Sequence, residues 1–302
     1  MTAPDPTPAL RVQANGIELA YDSFGDADAP ALLLIMGLGT QMIAWDEPFC
    51  EALAARGYRV IRFDNRDIGL SSRLDAAGVP DVRQMLMLGL AGQDAGAVPV
   101  PYKLADMALD AVGLLDALGI ASAHVVGASM GGAIAQEMAI RHPQRVRTLV
   151  SIMATSGAPG LPPPTPEALA LLLTPAPTDR AGFTERYQRM MKLLRAGDFP
   201  EEEALDAARA GRTWARGLNP AGYARQLAAI LASGSRREAL ASVRTPTLVI
   251  HGDADPLVPV ECGIDVAQAV PGARLLRIEK MGHALPAWTW PQIIQAIAEH
   301  AV

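Results

Sequence analysis

Residues 124–136 read HVVGASMGGAIAQ, a Gly127-x-Ser129-x-Gly131 pattern with a further glycine at 132. A strand-like run precedes the pattern and a helical run follows it, so Ser129 sits on a strand-to-helix turn. The flanking glycines remove side chains that would collide in so tight a turn. It lifts Ser129 Oγ to the carboxyl ends of the strands, above a helix N-terminus. A hydroxyl there becomes a nucleophile only if a base takes its proton and a carboxylate orients the base. The chemistry to look for is therefore acyl transfer.

The chain has five histidines. His142 precedes Pro143 at a helix end and reads as a cap. His124 begins a strand, and His300 lies among polar residues of the closing helix. His251 ends the TLVIH strand, is followed at once by a glycine turn, and reads as a satisfied structural histidine. His283, in EKMGHALP, falls in a loop after a strand and before the final helix, where an α/β sheet gathers its ligand-binding groups. Two carboxylates stand in HGDADPLVP, Asp253 and Asp255. Either gives the order serine, acid, histidine expected of such a triad. Asp253 also reads as a turn-forming Asx residue.

A second glycine turn lies upstream, in ALLLIMGLGTQ at residues 31–41. Gly37 and Gly39 allow close approach of the backbone, either to a dinucleotide pyrophosphate or to a developing oxyanion. A dinucleotide fingerprint needs a small residue three positions beyond Gly39, where Met42 stands. Its acidic partner is matched by Asp64 only on a loose count. The oxyanion reading survives.

These turns must hang on a sheet. Leu10–Phe24 read as two strands joined at Asn15-Gly16, a strong hairpin signal. Strands follow at Ala31–Ile35, Tyr58–Phe63, His124–Gly127 and Val146–Met153, alternating with helices near Asp46–Arg56, Leu104–Leu118 and Met130–His142. Such alternation predicts an α/β fold, a mostly parallel sheet with helices on both faces. Residues 73–101 have no clean period. Strands also vanish between Gly157 and Glu238, where a Pro-rich stretch gives way to amphipathic helices. They return at Thr247–His251 and Arg274–Glu279, before a closing helix near Pro291–His300. The division is a core of residues 1–156 and 236–302, interrupted by a helical lid of residues 157–235. Lids exclude water and shape pockets.

Half of the 302 residues are apolar, enough for a large core, and the formal charge is −6. That charge argues against nucleic acid or an anionic membrane as partner. Cys50 and Cys262 lack metal-ligand spacing and read as buried thiols on helices, which suits a reducing, cytoplasmic compartment. The N-terminal MTAPDPTPALRV has neither the basic nor the apolar region of a secretory signal.

Over nearly its whole length the chain resembles the α/β-hydrolase-fold serine hydrolases. IMGLG, DNRDIGLSS, HVVGASMGG and MGHALP together resemble the aclacinomycin methylesterase-like branch, whose namesake removes a methyl ester from a polyketide glycoside. The resemblance implies Asp255 as the acid, because the family's acid closes a G-x-x-D pattern ahead of Val-Pro, here Gly252 to Asp255 before Val258-Pro259. It implies an oxyanion hole built from the backbone N–H groups of Leu38 and Met130. Two positions depart from the family. Met36 stands where relatives often have histidine, which removes a side chain that braces the turn. Asp67 replaces the usual glycine of D-x-R-G-x-G-x-S.

The resulting expectation is a carboxylic ester hydrolase with Ser129, Asp255 and His283 as catalytic residues, acting on small to medium, largely apolar esters without metal or organic cofactor. The oligomeric state is open between monomer and homodimer. Two rivals use the same residues. One is a C–C bond hydrolase of a dienol-diketone, for which Arg189, Lys192 and Arg195 are candidate carboxylate holders. The other is a ligand receptor that barely turns over. Met190, Met191, Leu193, Leu194 and Trp214 suggest an apolar pocket, and Trp45 and Trp288 flank the site in sequence.

Overall fold

The structure, a computed structural model, describes residues 9–91 and 93–301. The Pro-rich start, residues 1–8, lies outside the described residues. Eight strands form one sheet: β1 (Leu10–Ala14), β2 (Ile17–Phe24), β3 (Ala31–Ile35), β4 (Arg59–Phe63), β5 (Ala123–Ala128), β6 (Val146–Ile152), β7 (Thr247–Gly252) and β8 (Arg274–Ile278). Their order is β1-β2-β4-β3-β5-β6-β7-β8, with β1–β2 and β2–β4 antiparallel and every later pairing parallel. The Asn15-Gly16 hairpin forms with both residues at positive φ, the backbone that an Asn-Gly turn supplies most readily.

Eleven α-helices accompany the sheet among the described residues: α1 (Glu47–Ala54), α2 (Val82–Leu90), α3 (Leu104–Ala117), α4 (Met130–Arg141), α5 (Pro166–Leu173), α6 (Arg180–Arg195), α7 (Pro200–Ala215), α8 (Pro220–Ser233), α9 (Arg237–Leu240), α10 (Val260–Ala269) and α11 (Trp290–His300). Because side chains alternate along a strand, β3 feeds two cores. Leu33 and Ile35 join α3 and α4 on one face. Leu32 and Leu34 join α1 and α11 on the other. Both faces are thus covered, which is why β3, β5 and β7 are buried along their whole length. Cys50 and Cys262 are buried free thiols on α1 and α10, and burial pushes Cys50 up to about 12. No helix among the described residues is long and apolar enough to cross a membrane.

Between β6 and β7 the chain leaves the sheet for α5–α9. The two ends of this insertion lie side by side, where the Arg236 N–H donates to the Ser156 carbonyl at 2.8 Å. Two helices depart from the sequence reading. α2 occupies part of the aperiodic segment; among its described side chains Met85 alone is fully buried, against Ala228 and Ala232 of α8. α5 starts inside the Pro-rich stretch because Thr165 Oγ1 caps the Ala168 N–H and Pro166 takes the first helical turn, where proline is tolerated. His300, placed by sequence among polar residues of the closing helix, belongs to the interior. It is buried, with Nε2 beside the carbonyls of Leu149 and Pro246.

Candidate active site

Ser129 follows β5 directly and stands at the N-cap of α4 with φ 56° and ψ −122°, a left-handed conformation that a non-glycine residue adopts only under constraint. The constraint is visible in its neighbours. A Cβ on Gly127 would overlap the Gly131 carbonyl, and one on Gly131 would overlap the Ile35 carbonyl. The serine's own N–H donates to the Ile152 carbonyl at 2.9 Å. β5, α4 and β3 therefore touch backbone to backbone around the hydroxyl.

His283 stands between β8 and α11. Its Nε2 lies 2.9 Å from Ser129 Oγ and its Nδ1 2.7 Å from Asp255 Oδ2. Asp255 follows β7, and its Oδ1 accepts the N–H groups of Leu257 and Val258 at 2.9 and 2.8 Å. Burial disfavours its charge. The charge of His283, hydrogen bonding from His251 and His283, and the Val258 N–H outweigh that cost and hold the carboxyl well below the usual range. An ionised carboxylate can only accept, so Nδ1 carries the imidazole proton and Nε2 is free to accept from the serine.

Asp253 lies elsewhere. Its carboxylate forms a surface ion pair with Arg277 at 2.7 Å. His251 is fully buried, and its Nε2 donates to the Val258 carbonyl at 2.7 Å and approaches Asp255 Oδ2 at 3.6 Å. Its Nδ1 has no hydrogen-bond partner, so only half of the ring is satisfied. Helix α10 closes over that nitrogen at Gly263.

The Met36–Gly39 turn reaches the same point. A Cβ on Gly37 would stand 3.1 Å from Ser129 Cβ. Met130 opens α4 directly after the serine, and Leu38 lines the cavity above it. Two side chains brace the turn. Asn65 Nδ2 donates to the Met36 carbonyl at 2.9 Å, and Gln226 Oε1 accepts the Gly39 N–H at 2.9 Å. Gln226 belongs to α8 and also donates to the Arg66 carbonyl at 2.8 Å. Neither brace was legible in sequence, since Gln226 lies 187 residues beyond Gly39.

Asp67 has a similar explanation. It adopts a positive φ of 72°, a conformation that favours glycine, and its carboxylate accepts from Arg225 Nη2 and Nε at 2.6 and 2.8 Å and from the Tyr102 hydroxyl at 2.8 Å. Arg225, like Gln226, comes from α8. Further links run from Arg216 to Asp64 and from Arg209 and Arg212 to Asp46. The insertion is thus riveted to the core by arginines meeting aspartates.

Between insertion and sheet lies a cavity of about 490 Å³, reached by Ser129 and His283. Met190, Met191 and Leu194 line it, whereas Leu193 and Trp214 do not; Trp214 packs on Phe183 instead. Trp45 is buried in the core against Phe49, and exposed Trp288 stacks on Phe199. The three cations of the insertion singled out from sequence do not act as a free cationic group. Arg195 is buried and paired with Asp206 at 2.6 Å, Lys192 faces solvent beside Asp198, and Arg189 is exposed. The lining cation without an acidic partner among the described residues is Arg186, whose guanidinium donates to the Leu171 carbonyl at 2.8 Å. Sequence reasoning passed over it because nothing in a helical charge pattern separates a cavity-facing arginine from a solvated one.

A family profile described as alpha/beta hydrolase fold matches residues 30–288. The chain is 32% identical to the rhodomycin D methylesterase DauP of Streptomyces sp. (strain C5), over 97% of this chain and 98% of that protein. It is 30% identical to a 2-hydroxymuconate semialdehyde hydrolase of Pseudomonas putida, over 66% of each. Among solved structures, the enol-lactonase of Burkholderia xenovorans LB400 superposes with a TM-score of 0.73 at 24% identity, covering 96% of this chain and 99% of that one.

Proposed function

The chain belongs to the alpha/beta hydrolase fold family, and from that premise we propose that it is a serine carboxylesterase with Ser129 as nucleophile, His283 as general base and Asp255 as the orienting acid. The observation that carries this reading is the unbroken hydrogen-bonded chain from Ser129 Oγ through His283 to Asp255 at the floor of the cavity. His283 Nε2 takes the hydroxyl proton as Oγ attacks the ester carbonyl, and Asp255 stabilises the imidazolium that forms. The N–H groups of Leu38 and Met130 hold the oxyanion; one such donor is worth about 10²–10³ in rate. His283 returns its proton to the leaving alcohol, then activates the water that frees the acid.

The helical insertion, residues 157–235, acts as the lid over this site, and the core of residues 1–156 and 236–302 carries the catalytic groups. The apolar wall of Met190, Met191 and Leu194 favours an ester with a sizeable apolar body. The likeness to a methylesterase makes a methyl ester of such a body the first substrate to try. The negative charge and two unpaired, buried thiols fit a cytoplasmic enzyme of small molecules.

Ser129→Ala should abolish ester hydrolysis and labelling by a fluorophosphonate while leaving the fold intact. Retained hydrolysis would remove Ser129 from its role. A wild-type kcat above roughly 1 s⁻¹ on p-nitrophenyl esters excludes a receptor that barely turns over.

Arg186 favours a second reading, C–C bond hydrolysis of a dienol-diketone. An arginine facing the cavity without an acidic partner among the described residues suits a substrate that brings its own carboxylate. A panel of ester chain lengths with one dienol-diketone decides between the two. Preference for the dienol-diketone, lost in Arg186→Met, would establish the second.

A further inference from the structure

The loop that carries His283 rests on the insertion. The His283 N–H donates to the Leu194 carbonyl, in the last turn of α6, at 2.6 Å. One residue earlier, Gly282 presses so closely on the same turn that a Cβ there would overlap the carbonyl oxygen of Leu194. These are two separate main-chain contacts between α6 and the histidine loop.

The last turn of α6 is itself held firmly. Arg195 is 1% exposed, and its guanidinium meets both oxygens of Asp206 on α7, at 2.9 and 2.6 Å. Asp206 is equally buried and stands 3.7 Å from Arg209, which continues to Asp46 on the core. Helix carbonyls at a C-terminus lack intrahelical partners, so Leu194 can accept from outside the helix. Movement of α6 away from the sheet would break the bond to His283. An error of about 1 Å in a catalytic group can cost on the order of a hundredfold in rate.

We propose that the C-terminal turn of α6 is a positioning element for the general base: Leu194 and Gly282 set where His283 stands, and the Arg195–Asp206 pair keeps that turn in place. The inference rests on the catalytic reading given to His283. It assigns the insertion a part in catalysis beyond covering the substrate. It also gives Gly282 a specific reason to be glycine, namely contact with a helix end rather than backbone conformation.

The test uses the full chain and two variants. Gly282→Ala forces the loop and α6 apart. Asp206→Asn keeps the shape of the anchor but removes its charge and one of the two oxygens that accept from Arg195. For each, kcat and KM are measured on a p-nitrophenyl ester, and the downfield imidazole proton shared between His283 and Asp255 is followed by NMR. In Gly282→Ala, kcat should fall at least tenfold with KM within about threefold, and the imidazole resonance should broaden or shift. Asp206→Asn should show the same changes in smaller measure. An unchanged imidazole resonance in both variants would overturn the proposal, as would a loss confined to KM. The resonance reads the position of His283 whether or not the ester is turned over, so failure of the esterase reading and failure of this one are told apart.

Discussion

Asp255 and Asp253 are two residues apart and chemically alike, yet the structure treats them differently. Asp255 is buried and accepts from two backbone N–H groups and His283; Asp253 meets an arginine at the surface. Asp255→Asn should lower kcat by about 10³–10⁴, because the amide lets the imidazole take the wrong tautomer. Asp253→Asn should leave kcat within twofold or so, since an exposed pair contributes little. Steady-state kinetics of the two variants on one ester checks both.

At the scale of elements, the turn after β3 is the part where sequence and structure add most to each other. Met36 in place of histidine signalled a missing brace. The structure supplies two others, Asn65 and Gln226. Gln226→Ala should leave the Gly39 N–H without its acceptor and loosen the neighbouring Leu38 donor. We expect kcat to fall about tenfold with little change in KM, because the oxyanion forms only beyond the ground state. A change in KM alone would make Gln226 a substrate-side residue. The same element scale shows why α2 and α5 were illegible. Among its described side chains α2 buries one apolar residue fully, and α5 begins among prolines that argue for loop until the Thr165 cap is seen.

The whole molecule is a sheet with an insertion pinned over it, and Asp67–Arg225 is the most buried of the pins, with neither side chain exposed. Burial alone would raise the Asp67 pKa. Hydrogen bonds from Arg225, the Leu74 N–H and Tyr102 outweigh it and lower the pKa. For a carboxylate depressed in the folded state, the stabilisation is present above the unfolded value, near 3.9, and fades as pH falls through the folded one. Asp67→Asn should therefore lower the melting temperature near pH 6, leaving a buried guanidinium partly unpaired at a cost of about 3–5 kcal/mol. The gap between variant and wild type should narrow as pH falls below about 3.9, as thermal melts on either side of that value would read. A constant gap would mean that the pair's charge is immaterial.

The sequence by itself determined the alternation that makes an α/β sheet, the strand–glycine–serine–helix turn, and the order of Ser129, Asp253 or Asp255, and His283. These are local signals: apolar period, turn chemistry and spacing along a few residues set them. It also registered Asp67 and Met36 as departures without saying what answered them. Only the tertiary structure decided that Gln226 and Arg225 of one helix answer both, that Arg186 rather than Arg189, Lys192 or Arg195 faces the cavity without an acid, and that the end of α6 bears on the histidine loop. Each of those contacts joins residues scores of positions apart, or depends on which side of a helix meets the sheet. Charge patterns along a chain carry no record of that; it arises only when the insertion folds back and buries its arginines against the core.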